Sequence, residues 1–224
     1  MKISGNSSGS ARLLGSSLIL LACVAGTGAR AQELEFSYGV DLVTNYISKG
    51  LTQTDNDPAI QPYVEVTYGL GYFGLWASNA SFGGDKDIEL DVSVGIRPEF
   101  GKLSLDLGFA QYLYRDDEED YGEAYIFGDY AANDQLGLNF KYYREVYAEK
   151  DWFYVGAEYS GLPWDLTLSG GIGTDFGTDA FSEDSVAADI GVSGDISENA
   201  SFDFRASDSS IEGSRFIATL SFYN

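Results

Sequence analysis

Ile88-Glu89-Leu90-Asp91-Val92-Ser93-Val94-Gly95-Ile96-Arg97 alternates apolar and polar residues without a break. Successive strand side chains point to opposite faces, so this stretch has one oily face and one wet face. Two architectures use such a strand. A soluble sandwich buries the oily face against a second sheet. An outer-membrane barrel turns it to lipid and lines a lumen with the wet face.

Working outward, the same period recurs along the chain. Phe36-Tyr38-Val40-Leu42 is one apolar row, and Ile60, Val64 and Val66 make another, with Glu65 and Thr67 opposite. Leu103-Leu105-Leu107-Phe109 opposes Ser104 and Asp106; Leu136-Leu138-Phe140-Tyr142 opposes Asn139, Lys141 and Tyr143. Phe73-Leu75-Ala77, Phe153-Val155-Ala157, Val186-Ala188-Ile190-Val192, Phe202-Phe204 and Phe216-Ala218-Leu220-Phe222 continue the pattern, with weaker strands near Gly122–Tyr130 and Leu166–Gly173. About twelve strands result, an even number, each near the ~10 residues that a tilted barrel strand needs. No segment keeps a helical period.

Alternation suits both architectures, and the connections separate them. Gly50–Pro58, Arg115–Asp120 and Thr178–Ser185 are long and polar, and Gly83–Asp87 is acidic. Gly69–Gly71, Pro98–Lys102, Ala131–Asp134 and Glu198–Asn199 are short. Long and short connections at opposite ends are the barrel pattern. Tyr147–Asp151 is short for an outer loop, and Gly161–Asp165 is bulky for an inner turn. Aromatics near strand ends (Tyr68, Tyr72, Phe73, Phe100, Tyr112, Tyr114, Trp152, Tyr154) are expected to form interfacial girdles.

The N-terminus reads as an export signal. Lys2 and Arg12 supply positive charge, Leu13–Val24 is mostly apolar, and Ala29-Arg30-Ala31 is a small-x-small cleavage signal. Cleavage is expected after Ala31, dividing the chain into a signal peptide, residues 1–31, and a barrel, residues 32–224. The lone cysteine, Cys23, lies in the leader. Leu20-Leu21-Ala22-Cys23 loosely resembles a lipoprotein box, although Leu21 is large for one.

The 224 residues carry 35 acidic and 13 basic side chains, a formal charge of −22. Three of the basic residues, Lys2, Arg12 and Arg30, precede the cut, so the exported part is more acidic still. Such a chain repels nucleic acid, which is excluded as a partner. Histidine is absent, which removes Ser-His and Cys-His nucleophilic sites and histidine-dependent metal sites. Carboxylates are so plentiful that no acid–base pair stands out. The expectation is no enzyme, no catalytic residue, no metal site and no cofactor. Asp55-Asn56-Asp57 and Asp116–Asp120 offer carboxylates without a calcium-loop spacing and read as solvated loops.

Thr44-Asn45-Tyr46-Ile47-Ser48-Lys49-Gly50-Leu51-Thr52-Gln53-Thr54-Asp55-Asn56-Asp57-Pro58-Ala59-Ile60-Gln61 resembles the opening of the TorF porin family, a proteobacterial outer-membrane family of otherwise unknown function. Tyr72–Asn79, Ile88–Asp91 and Tyr121-Gly122-Glu123 are similar to it in the same order. Beyond Tyr147 the likeness is one of general character. Lys49 departs from the arginine expected there, keeping the charge and losing the forked donor. The resemblance implies an outer-membrane barrel with a pore role and supplies no solute.

The sequence therefore predicts an all-β, antiparallel, up-and-down transmembrane barrel in the outer membrane. It is expected to pass small neutral or cationic solutes passively, with lipid and lipopolysaccharide as its surroundings; its oligomeric state is left open. The residues expected to line the pore are Glu65, Glu89, Asp91, Arg97, Asp106, Tyr112, Lys141, Tyr143, Asp189, Asp203 and Arg205. The alternatives are a non-conducting structural or adhesive barrel, and a soluble periplasmic sandwich.

Overall fold

The computed structural model describes residues 33–115, 120–147, 150–177 and 185–224. The leader with its cleavage point and Cys23, most of the Asp116–Asp120 run, part of the connection after Tyr147, and residues 178–184 lie outside the described residues.

Twelve long strands follow one another: β1 (Leu34–Val43), β2 (Ala59–Tyr68), β3 (Gly71–Phe82), β4 (Asp85–Ile96), β5 (Leu103–Tyr114), β6 (Tyr121–Ala131), β7 (Leu136–Glu145), β8 (Lys150–Tyr159), β9 (Thr167–Gly177), β10 (Val186–Ser197), β11 (Ala200–Ser209) and β12 (Gly213–Tyr223). Each pairs antiparallel with the next, and β12 returns to β1. The result is a closed, up-and-down barrel without a free sheet edge. Among the described residues no helix is long and apolar enough to cross a membrane, and the strands do the enclosing.

Register decides which face each row takes. Across β3, β4 and β5, Leu75 pairs with Val92 and Val92 with Gln111, while Trp76 pairs with Asp91 and Asp91 with Tyr112. The first row faces out and the second faces in. Phe36, Ile60, Val94, Ile190, Phe204 and Phe216 are all exposed on the outside, whereas Glu89, Asp106, Glu123 and Asp203 are buried. A soluble protein inverts that distribution. The sandwich alternative is thereby overturned: among the described residues no second sheet covers the oily rows.

Both ends of the described barrel lie at the rim of short connections, with Gly69–Leu70 and Glu198–Asn199 as two-residue turns. At the other rim sits the fifteen-residue connection 44–58. Two expectations about the rims need correction. Gly83–Asp87 is not a loop, because β3 runs to Phe82 and β4 restarts at Asp85. Gly83 (φ 62°) and Gly84 (φ 95°) both take the left-handed conformation that a two-residue hairpin turn requires, so Asp85 and Asp87 extend the strand. The girdle is also smaller than expected. Tyr68, Phe73 and Phe100 face outward and are exposed, but Tyr72, Tyr112, Tyr114, Trp152 and Tyr154 share the inward parity of Asp91 and Lys141. Closeness to a strand end does not decide facing; parity does. At the short-turn rim, Trp164 in the 3-10 turn Pro163–Asp165 is 89% exposed, where an amphipathic ring suits a membrane interface.

The closing pair β1–β12 is short. It runs from Gly39↔Tyr223 to Val43↔Thr219, whereas β1–β2 runs the full length of both strands. Below it, Asn224 takes the place of a further rung. Its Oδ1 accepts from the Tyr38 N–H (2.9 Å) and its Nδ2 donates to the Phe36 carbonyl (3.0 Å).

Candidate functional site

Pairing register places Glu65, Glu89, Asp91, Asp106, Tyr112, Lys141, Tyr143, Asp189, Asp203 and Arg205 on the interior face. Arg97, just past β4, turns inward as well. Most of these side chains fall into two opposed wall clusters and one upper tier.

The first cluster is built on Arg97. Its guanidinium donates to both Glu65 oxygens (2.5 and 2.7 Å) and, through Nε, to Asp106 Oδ2 (3.0 Å). It also lies over the Tyr72 ring, 3.8 Å from the centroid. Tyr72 Oη donates to Asp106 Oδ1 (2.7 Å) and meets the Tyr125 hydroxyl. Gly95 and Gly108 stand across from these rings. A Cβ on Gly108 would come 2.4 Å from the Tyr125 ring, so only glycine leaves room.

The second cluster is built on Arg205, on β11. β11 stands six strands from β5, on the opposite wall. Arg205 pairs with Asp189 and with Asp203 (3.0 Å), and donates to Ser169 Oγ (2.8 Å). Tyr154 Oη donates to Asp189 Oδ2 (3.0 Å), and Lys141 lies 5.8 Å from the Tyr154 ring centroid. Arg97 thus holds one carboxylate of β2 and one of β5, and Arg205 one of β10 and one of its own strand; two carboxylates meet one cation in the first cluster, and two meet two in the second.

The upper tier depends on a loop that folds inward. Residues 44–58 leave β1 and carry a small hairpin, Ile47–Ser48 with Leu51–Thr52. Lys49 (φ 51°) and Gly50 (φ 83°) form its two-residue turn, and both need the left-handed conformation. Asn45 braces the loop from inside: it accepts from Thr52 Oγ1 (2.7 Å) and Thr54 Oγ1 (3.2 Å) and donates to Asn56 Oδ1 (3.0 Å). The loop touches the wall on several sides. Tyr46 packs edge-on against Trp76 at 5.3 Å and donates to Glu89 Oε1 (3.3 Å). Lys49 pairs with Glu123 of β6 and sits 4.7 Å from the Tyr143 ring centroid. A Cβ on Gly50 would lie 2.4 Å from Ala187 Cβ of β10. The Thr52 N–H donates to Glu212 Oε2 (2.9 Å). Farther out, Asp55 Oδ2 accepts from the Gly84 N–H (2.7 Å) and Ser81 Oγ (2.9 Å). The Gly84 amide, with the Ser81 hydroxyl, holds the Asp55 carboxyl below the usual aspartate range.

Sequence reasoning placed the wall residues on one face but not this loop, nor Glu123 as its anchor. Tyr72 and Tyr125 were also missed as members of the Arg97 cluster. Inward parity, Tyr72 against Phe73, was the signal that could have found them.

Away from the interior, a groove of about 620 Å³ is lined largely by the outward apolar residues Leu168, Ile190, Val192, Phe204 and Phe216; it belongs to the oily exterior.

A family model described as "Bacterial protein of unknown function (Gcw_chp)" matches residues 28–218. The chain belongs to the Gcw_chp family. The match carries that name rather than TorF. No curated protein matches the chain in sequence. Among solved structures the barrel is similar to the KdgM porin in complex with disordered oligogalacturonate (TM-score 0.62, 13% identity, 84% of this chain and 97% of that one). It is also similar to the NanC porin (TM-score 0.56, 8% identity, 82% and 97%) and to the toluene transporter TodX of Pseudomonas putida (TM-score 0.51, 9% identity, 87% and 90%). At these identities the shared property is the fold. The antiparallel barrel expected from sequence is the fold found, and this Gcw_chp chain has the architecture of outer-membrane porins.

Proposed function

We propose that this Gcw_chp protein is an outer-membrane channel through which small neutral or cationic solutes diffuse passively, without catalysis or a cofactor. The observation that carries the reading is the inverted barrel: an oily exterior around an interior rich in carboxylates. An apolar belt suits hydrocarbon. A wall with excess negative charge concentrates cations and repels anions. The residues proposed to line the passage are those grouped around Arg97, Arg205 and the inward loop. The TorF resemblance enters here as part of the proposal, since its most distinctive stretch, Thr44–Gln61, supplies that loop.

Charge bears on which solute this passage would take. Oligogalacturonate, the partner of KdgM in the solved complex, is a chain of sugar acids, and carboxylates on Asp91, Asp106, Asp189 and Asp203 would repel it. The solute proposed here carries no negative charge. Outer-membrane lipid and lipopolysaccharide are the proposed surroundings, with the rim of the 44–58 loop facing outward.

Planar-bilayer recording tests the reading. Ohmic conductance with a reversal potential favouring potassium over chloride in a salt gradient is expected; an anion-selective current would refute the charge argument. A second reading, a non-conducting barrel, is favoured by one observation: the 44–58 loop is tied to several sides of the wall. Liposome swelling in small sugars separates the two, because a sealed barrel admits none.

A further inference from the structure

Lys49 carries a primary ammonium on a short hairpin and inserts it into the wall. Its partners come from two neighbouring strands. Glu123 of β6 supplies a buried carboxylate, and Tyr143 of β7 supplies a ring face 4.7 Å away. Tyr112 completes the cradle by donating to the other Glu123 oxygen at 3.0 Å. A carboxylate with aromatic rings is the chemistry that recognises ammonium groups, since a ring face attracts cations and a carboxylate neutralises them. The loop thus presents a tethered ligand to the wall.

The same tier has capacity to spare. Glu89 and Asp91 stand two residues apart on β4, facing the interior beside Tyr112 and Tyr114. Glu89 is 1% exposed and accepts from Tyr46 through Oε1 (3.3 Å); among the described residues no donor reaches its Oε2 or Asp91 Oδ1. Buried carboxylate oxygens without a donor are costly unless a proton or cation serves them. Beside Lys49 and Glu123 lies a cavity of about 140 Å³, whose lining includes Tyr121, Glu145, Trp152 and the Lys150–Asp175 ion pair (3.1 Å). It has room for a small aliphatic amine next to the lysine it would displace.

We propose that the Glu123–Tyr143–Tyr112 cradle is a binding site for primary ammonium groups of passing solutes, and that Lys49 is a built-in competitor occupying it at rest. The inference rests on the channel reading for its purpose but not for its test. A tethered group competes at an effective concentration of order millimolar, so a free amine meets a masked site in the native protein.

The experiment is calorimetric titration of the folded barrel in detergent micelles with 1,4-diaminobutane. Asparagine tolerates the left-handed backbone at position 49, so Lys49→Asn removes the ammonium without straining the turn. Lys49→Asn is expected to bind the diamine at least tenfold tighter than the native chain, and Lys49→Arg to resemble the native chain. Adding Glu123→Gln to Lys49→Asn should reverse the gain, and uncharged 1,4-butanediol should not bind. If the double variant fails to show the heat-modifiable mobility of a folded barrel, Tyr143→Leu on the Lys49→Asn background serves instead. Equal affinity in native and Lys49→Asn barrels, or a gain that survives both wall substitutions, overturns the proposal. Bilayer recording of the same samples keeps the two readings apart. A barrel that binds the diamine yet never conducts removes transport and leaves the site; one that conducts without binding it does the reverse.

Discussion

Replacing Val92 by lysine puts an ammonium group at the centre of the apolar belt. The outward row of β4 is Ile88, Leu90, Val92, Val94 and Ile96, and Val92 is its midpoint. Every second strand residue advances about 6.6 Å, which at a tilt near 40° is about 5 Å of membrane depth. The row therefore spans about 20 Å of a belt ~25 Å tall, with Val92 about 10 Å from either end. A lysine stem cannot reach water from there. Its outward neighbours, Leu75 and Gln111, supply no anion, and the Gln111 amide already donates to the Tyr121 carbonyl at 2.9 Å. The expected cost is ~2–4 kcal/mol, a loss of roughly 30-fold to several hundred-fold in the folding equilibrium. Ile88→Lys, at the end of the row, should cost only ~0–1 kcal/mol. Urea titrations of folding into lipid vesicles measure both. Equal costs at the two positions would show that the row does not cross hydrocarbon.

Asp91→Lys, one residue away but inward, is expected to fold normally and to move the bilayer reversal potential toward chloride. Arg97→Met strips the counter-charge from Glu65 and Asp106; because the cluster is partly exposed, the expected loss is about 1–3 kcal/mol, read by urea midpoint in the same vesicles. Asp55 gives a pH prediction. Its carboxyl titrates lower in the folded barrel than unfolded, so its tie to Ser81 and Gly84 is fully present above the ordinary value of ~3.9 and is lost as pH falls through the depressed folded value. Hydrogen exchange at the Gly84 amide should stay slow at neutral pH and show an added loss of protection only below about pH 4. The same added loss in Asp55→Ala would separate the effect from that residue.

The facing of the wall was legible because a period of two leaves a strand one choice. Once Leu90 and Val92 face out, Glu89 and Asp91 must face in, and the argument repeats for Asp106, Lys141 and Asp189. Reasoning from position rather than parity failed. Tyr72 sits at the start of β3 and looked interfacial, yet it shares a face with Trp76 and stacks under Arg97. Asp85 and Asp87 looked like loop residues because they are acidic, although the glycine pair before them had already made the turn. The inward loop was not legible at all. Lys49 and Glu123 are 74 residues apart, and nothing local to either indicates that a polar connection turns into the barrel instead of out to water.

The brevity of the β1–β12 junction bears on how the molecule is made. Every other long-strand pairing of the wall joins strands adjacent in the chain, so hairpins can zip successively. The last joint must bring together residues some 180 positions apart, an event that loop-closure entropy delays. Five rungs and one borrowed amide then complete the hoop. This is the stave at which an unfinished cylinder would gape, and a partner that accepts a growing barrel would meet it there.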